Sequence, residues 1–177
     1  MHRLIVMGVA GCGKSTLAAG LALALGCDMV EGDDLHPPAS RDKMRKGTPL
    51  DDADREPWLD RLAAALAERP GPVVATCSAL KHRYRECLRA QVRGLRFVFV
   101  DIDQADAERR VASRTAHLFP AGLVASQFAD LESPLGEPGV LCVAAAWRPQ
   151  AQLDAALAWL ARAPVSDPTH HAGTESP

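Results

Sequence analysis

The sequence predicts a three-layer α/β fold, with a five-stranded parallel sheet and helices on both of its faces. Three observations carry that expectation. Short strand-like runs recur at Leu4–Met7, Asp28–Glu31, Val73–Cys77, Leu95–Val100 and Val140–Val143. Helical patterns separate them, as the crossovers between parallel strands require. The run Val73-Val74-Ala75-Thr76-Cys77 does not alternate apolar with polar, which marks a strand covered on both faces.

The elements follow in order. Ser15 to Leu25 is rich in Ala and Leu, strong helix formers, and Gly26 is placed to cap that helix. Asp28–Glu31 runs into Gly32-Asp33-Asp34. The next stretch carries Pro37, Pro38, Gly47 and Pro49 and is too punctuated for a long helix. From Asp52 the pattern turns helical: Leu59, Leu62 and Leu66 share a face, and Pro57 suits a first turn. Pro70-Gly71-Pro72 stops it. Further helices are expected over Lys81–Val92, Ala105–Ala116, Leu123–Leu131 and Gln152–Arg162. The chain divides into one domain, residues 1–163, and a polar tail, 164–177, whose composition predicts disorder.

Bulk properties exclude several classes. A chain of 177 residues fits a single core. Its net charge of −2 argues against nucleic acid as the main partner. No apolar run reaches the roughly 20 residues that span a bilayer, and the N-terminus lacks the apolar region of a signal peptide. Cys12, Cys27, Cys77, Cys87 and Cys142 are scattered, odd in number and never in a Cys-x-x-Cys pair. That spacing offers neither a zinc site nor a disulfide framework, so a cytoplasmic protein with reduced thiols is expected. Oligomeric state is not given by the sequence, and a homodimer is compatible with it.

The chemistry begins at Gly8-Val9-Ala10-Gly11-Cys12-Gly13-Lys14-Ser15, which satisfies Gly-x-x-x-x-Gly-Lys-Ser between a strand and a helix. Glycines let backbone N–H groups turn inward around phosphate oxygens, and the helix N-terminus adds partial positive charge. Lys14 reaches the β- and γ-phosphates of ATP, the Ser15 hydroxyl is a Mg²⁺ ligand, and Thr16 can contact the α-phosphate. The chain contains no asparagine, so the Asn-Lys-x-Asp element that selects guanine is ruled out. A long apolar strand ending in an Asp-Glu pair, as in motor ATPases, is also missing. A small-molecule kinase remains.

Such an enzyme needs a group at the acceptor hydroxyl and cations over the transferring phosphate. Asp33 follows the second strand, at the sheet edge where open α/β folds bind ligands. It can orient a hydroxyl and take its proton, or it can cap a short helix, as Asp34 can. Arg110, Arg114 and His117 fall on one helical face. They could close over a phosphate, or form a solvated basic face paired with Asp106 and Glu108.

Several segments together resemble the small P-loop gluconokinases. They are Glu31-Gly32-Asp33-Asp34-Leu35-His36-Pro37, Lys43-Met44 with Gly47-x-Pro49-Leu50, and Asp52-x-Asp54-Arg55-x-Pro57-Trp58-Leu59. Cys77-Ser78-Ala79-Leu80-Lys81 with Tyr84-Arg85, Arg114-x-x-His117, Ser126-Gln127-Phe128 and Leu131-Glu132-x-Pro134 complete the set. The likeness runs from about residue 3 to 162. It implies transfer of the ATP γ-phosphate to the 6-hydroxyl of D-gluconate, on a fold like shikimate and adenylate kinases with a mobile lid near 110–131. It favours Lys14, Asp33, Arg110 and Arg114 as catalytic groups. For the acid it implies a pocket of Asp33, His36, Arg55, Ser78, Lys81, Arg85 and His117. Arg55 leads as carboxylate partner because a guanidinium fork matches a carboxylate, the alternative being an ion pair with Asp52 or Asp54. Trp58 reads as core or pocket wall, and Cys77 as packing. Ser40, Leu118-Phe119 and a lone Glu137 depart from the family pattern. Two other readings stay open: a kinase of another hydroxy-acid such as shikimate, and a nucleotide-binding regulator without acceptor chemistry.

Overall fold

The computed structural model describes residues 2–113 and 122–162. Its sheet contains β1 (Arg3–Met7), β2 (Asp28–Val30), β3 (Val73–Cys77), β4 (Leu95–Asp101) and β5 (Val140–Ala144). They lie in the order β2-β3-β1-β4-β5, every neighbouring pair parallel. Seven α-helices are described: α1 (Lys14–Leu25), α2 (Pro38–Arg45), α3 (Asp52–Ala67), α4 (His82–Gln91), α5 (Gln104–Ala112), α6 (Gly122–Asp130) and α7 (Pro149–Ala161).

The unalternating strands have their physical reason in two cores, one on each face. Leu4, Val6, Val74, Val98 and Val143 pack under α1, α5 and α7, with Leu17, Leu21, Ala107 and Leu160. Ile5, Met7, Ala75, Phe97 and Phe99 pack under α3 and α4, with Trp58, Leu62, Leu66 and Leu88. Successive residues of β1 therefore serve opposite cores, and neither side can be polar. Central β1 carries the glycine loop at its C-terminal end, so the loop emerges at the middle of the sheet edge. Gly8 holds φ +140, and a Cβ there would meet the Val100 carbonyl oxygen at 2.8 Å. No other residue lets the chain leave β1 in that direction.

The stretch after Pro37 forms only a short helix, α2, as its punctuation allows, with Pro38 in its first turn. Two helix bounds need correcting. A capping box between Asp51 and Asp54 starts α3 at Asp52, so Pro57 falls inside the helix and not in its first turn. The last helix begins at Pro149, three residues before Gln152. The disordered-tail expectation concerns residues 164–177, which lie outside the described residues. No described helix is long and apolar enough to cross a membrane.

Candidate active site

A cavity of about 510 Å³ opens at the C-terminal edge of the sheet. One end is the glycine loop: Ala10, Gly11, Gly13, Lys14, Ser15 and Thr16 line it. Ser15 and Thr16 are exposed on the first turn of α1, and the Lys14 ammonium donates to the Val9 carbonyl at 3.1 Å. Val9 and Cys12 are buried beneath the loop instead, where they join the core.

The other end is built on the short turn after β2. Gly32 is clamped from three directions. Its N–H donates to Thr76 Oγ1 at 3.0 Å, its carbonyl accepts from Trp58 Nε1 at 2.7 Å, and a Cβ there would run into the Thr76 carbonyl oxygen. Thr76 also donates to the Glu31 carboxylate. The clamp fixes the backbone that presents Asp33, whose exposed carboxylate lines the cavity beside Glu31 and Asp34. Asp33 belongs to a 3-10 turn over Gly32–Leu35 whose N-cap is Glu31, so capping is not its task.

His36 stacks on Trp58 with ring centroids 4.2 Å apart, and both line the cavity. The imidazole is 6% exposed, and its Nδ1 has no hydrogen-bond partner among the described residues. Burial lowers its pKa to about 4, Asp33 opposing the shift while Arg41 and Arg55 add to it. The ring is neutral at pH 7. Ser78 lines the cavity from the turn after β3.

Arg55 lines the cavity but pairs with neither Asp52 nor Asp54. Its Nη1 lies 2.9 Å from Asp130 Oδ2, at the C-terminus of α6, and 3.3 Å from the Tyr84 hydroxyl. Asp54 instead holds Lys43 at 2.6 Å. Lys81 was expected in the pocket and is absent from its lining. It bridges Asp52 at 3.1 Å and Asp130 at 3.4 Å, one step behind Arg55.

Arg85 is a clearer correction. Its side chain is fully buried and touches no part of the cavity. Nε donates to both oxygens of Glu137 at 3.0 Å, Nη1 to the carbonyls of Ala79 and Leu80 at 2.9 and 3.0 Å, and Nη2 to Glu132 at 3.1 Å. Ala79 has a left-handed backbone, φ 43, so this arginine braces the turn that carries Ser78. The lone Glu137 is accounted for by the same network, which also holds Arg89 and His82.

Arg110 too lies outside the cavity lining; its guanidinium donates to the Ala145 carbonyl at 3.1 Å. Arg114 and His117 fall outside the described residues. Cys77 is buried, and burial pushes its thiol up to about 12, as expected of a packing residue.

The structure adds lining residues that sequence reasoning did not single out as pocket groups: Arg41, Met44, Arg45, Leu50 and Gln127. Arg41 and Arg45 stand at i and i+4 on α2, a pairing that shows only once the bounds of that short helix are known.

A glycine loop, a carboxylate and a guanidinium on one cavity suit phosphoryl transfer to a small acid, and known proteins agree. The chain is 44% identical over 155 residues to the gluconokinase of Gluconobacter oxydans, covering 85% of this chain and 86% of that one. The chain belongs to the gluconokinase family. A family model described as an AAA domain matches residues 4–138. The crystal structure of a gluconokinase from Sinorhizobium meliloti 1021 superposes with TM-score 0.83 at 42% identity, over 90% of this chain and 91% of that one. Shikimate kinase from Aquifex aeolicus shares the fold, with TM-score 0.57 at 17% identity over 89% of this chain and 95% of that one. This gluconokinase-family chain is an ATP-dependent kinase with the α/β P-loop kinase fold.

Proposed function

We propose that the chain transfers the γ-phosphoryl group of ATP to the 6-hydroxyl of D-gluconate, giving 6-phospho-D-gluconate and ADP. The observation that carries this reading is the cavity itself, whose lining brings the glycine loop together with Asp33, His36, Arg55 and Ser78. Loop amides and Lys14 hold the triphosphate. Asp33 orients the acceptor hydroxyl and takes its proton as the new P–O bond forms and the bond to the β-phosphate oxygen breaks. Arg55 receives the gluconate carboxylate: Nη1 is committed to Asp130 and Tyr84, while Nη2 and Nε have no hydrogen-bond partner among the described residues. The neutral His36 ring and Ser78 face sugar hydroxyls.

Mg²⁺ fits this donor set, because Ser15, Glu31 and Asp33 offer hard oxygens on the same cavity. When bound it would neutralise charge on the β- and γ-phosphates, with Ser15 as its protein ligand. For Arg110 to reach the transferring group, its guanidinium must leave the Ala145 carbonyl. A cytoplasmic enzyme with reduced thiols is part of the same reading.

The test is a substrate panel of gluconate, other aldonates and shikimate with ATP and magnesium, read by coupled ADP release. Turnover with gluconate well above the rest is expected. Efficient phosphorylation of an unrelated alcohol, with gluconate untouched, would overturn the assignment.

A further inference from the structure

Ser126-Gln127-Phe128 was singled out in the sequence, yet the mechanism above leaves it without a task. The structure places Gln127 on the cavity wall with Lys14, Ser15 and Asp33. Its Oε1 accepts from the backbone N–H of Ala10, inside the glycine loop, at 2.6 Å. A backbone N–H can only donate, so the oxygen of the carboxamide must face Ala10 and the NH₂ must face away. The two amide heteroatoms are about 2.3 Å apart, so Nε2 lies within about 5 Å of the loop nitrogen. Neither of its two N–H donors has a partner among the described residues.

The helix that carries Gln127 is anchored at its C-terminal end. Three residues on, Asp130 ties the end of α6 to Arg55 at 2.9 Å. Beyond it, the Glu132 N–H donates to the Leu80 carbonyl at 2.9 Å, and the Glu132 carboxylate accepts from the His82 N–H at 2.6 Å. A donor fixed before the reaction, beside the phosphate loop, is what a developing negative charge on phosphoryl oxygens needs.

We infer that Gln127 is a further catalytic residue, its carboxamide N–H donating to an equatorial oxygen of the γ-phosphoryl group as it passes to the acceptor. This rests on the kinase reading above. It assigns the glutamine two tasks: the oxygen sets the orientation, and the nitrogen stabilises the transferring charge.

The test compares Gln127→Met and Gln127→Glu with the native chain. Met is close in length and removes the donors without adding charge; Glu keeps the acceptor for Ala10 and removes the donors. Both variants should lose roughly 10²-fold in kcat, as for deletion of one preorganised donor, with the gluconate KM unchanged. A non-hydrolysable ATP analogue should bind to Gln127→Met as to the native chain, and more weakly to Gln127→Glu, whose carboxylate adds a like charge beside the phosphates. ADP with aluminium fluoride and gluconate, a mimic of the transferring phosphoryl, should bind more weakly by about the factor lost from kcat. Unchanged kcat in Gln127→Met, or tighter nucleotide binding in that variant, would overturn the inference, since either makes the contact a structural tether only. Native turnover of gluconate in the same assay separates the two failures: its absence sinks the substrate reading, whereas its presence with an indifferent variant sinks only the role of Gln127.

Discussion

Replacing Arg85 with Met tests whether this arginine is a brace or a ligand contact. The substitution keeps the length of the side chain and deletes the charge. It leaves Glu137 facing only Arg89 and His82, and it strips the carbonyls of Ala79, Leu80 and Glu132 of a donor. Breaking one half of a buried pair costs about 3–5 kcal/mol. A second route gives a similar figure. Burial alone would raise the Glu137 pKa, but hydrogen bonds from Arg85, His82 and Arg89 outweigh it and hold it at about 2, against an ordinary 4.5. That difference is on the order of 3 kcal/mol shared among three donors, so the lower end of the range is expected. For a chain of this size about 3 kcal/mol lowers Tm by about 6–12 °C, read by calorimetry at pH 7. The sign with pH follows from a depressed carboxyl: the stabilisation is complete above 4.5 and is lost as pH falls from 4.5 through about 2. The gap between native chain and variant in urea titrations should therefore be smaller at pH 3 than at pH 7. An unchanged Tm with a gluconate KM raised roughly tenfold would refute the argument and return Arg85 to the pocket.

Three other outcomes are expected. Gly32→Ala forces a methyl into the Thr76 carbonyl and should cost about 1–3 kcal/mol in chemical denaturation, with kcat falling because Asp33 is displaced. Asp33→Asn should leave nucleotide binding intact by fluorescence titration while lowering kcat roughly 10²–10⁴-fold; unchanged turnover removes it from the chemistry. His36 should titrate near 4 in a histidine NMR titration, since burial favours the neutral ring. Its folded pKa lies below the unfolded one, so its contribution is complete above 6.5 and declines as pH falls from 6.5 to 4. A midpoint near 6.5 would show the ring to be solvated.

The fold was legible because its determinants are local. Each strand is a run that has to be apolar on both faces, and Gly26 closes α1 where a left-handed residue was expected. Loop residues Gly13, Lys14 and Ser15 were legible for the same reason, since a strand, a glycine turn and a helix are contiguous. Arg85 was misread because a guanidinium looks the same in a sequence whether it meets gluconate or Glu137, 52 positions away. Asp130 carried no signal at all: only the return of α6 across the cavity brings it to Arg55. The bounds of α2 were not legible, because Pro37 and Gly47 flank it while Pro38 opens its first turn without interrupting it.

An all-parallel sheet has a polarity that reaches beyond the chemistry. Every strand runs toward the cavity edge, and the connections that lead into β3 and β4 bring the chain back to the far edge, where Gly71 and Gly94 sit in turns with open space around them. The cavity and these two turns thus lie at opposite rims of the molecule. A peptide tag or reporter domain grafted into the turn at 69–72 or at 93–94 would extend the far rim without entering the cavity. The same asymmetry tells an engineer which surface can be immobilised on a support while the other stays accessible to nucleotide and sugar acid.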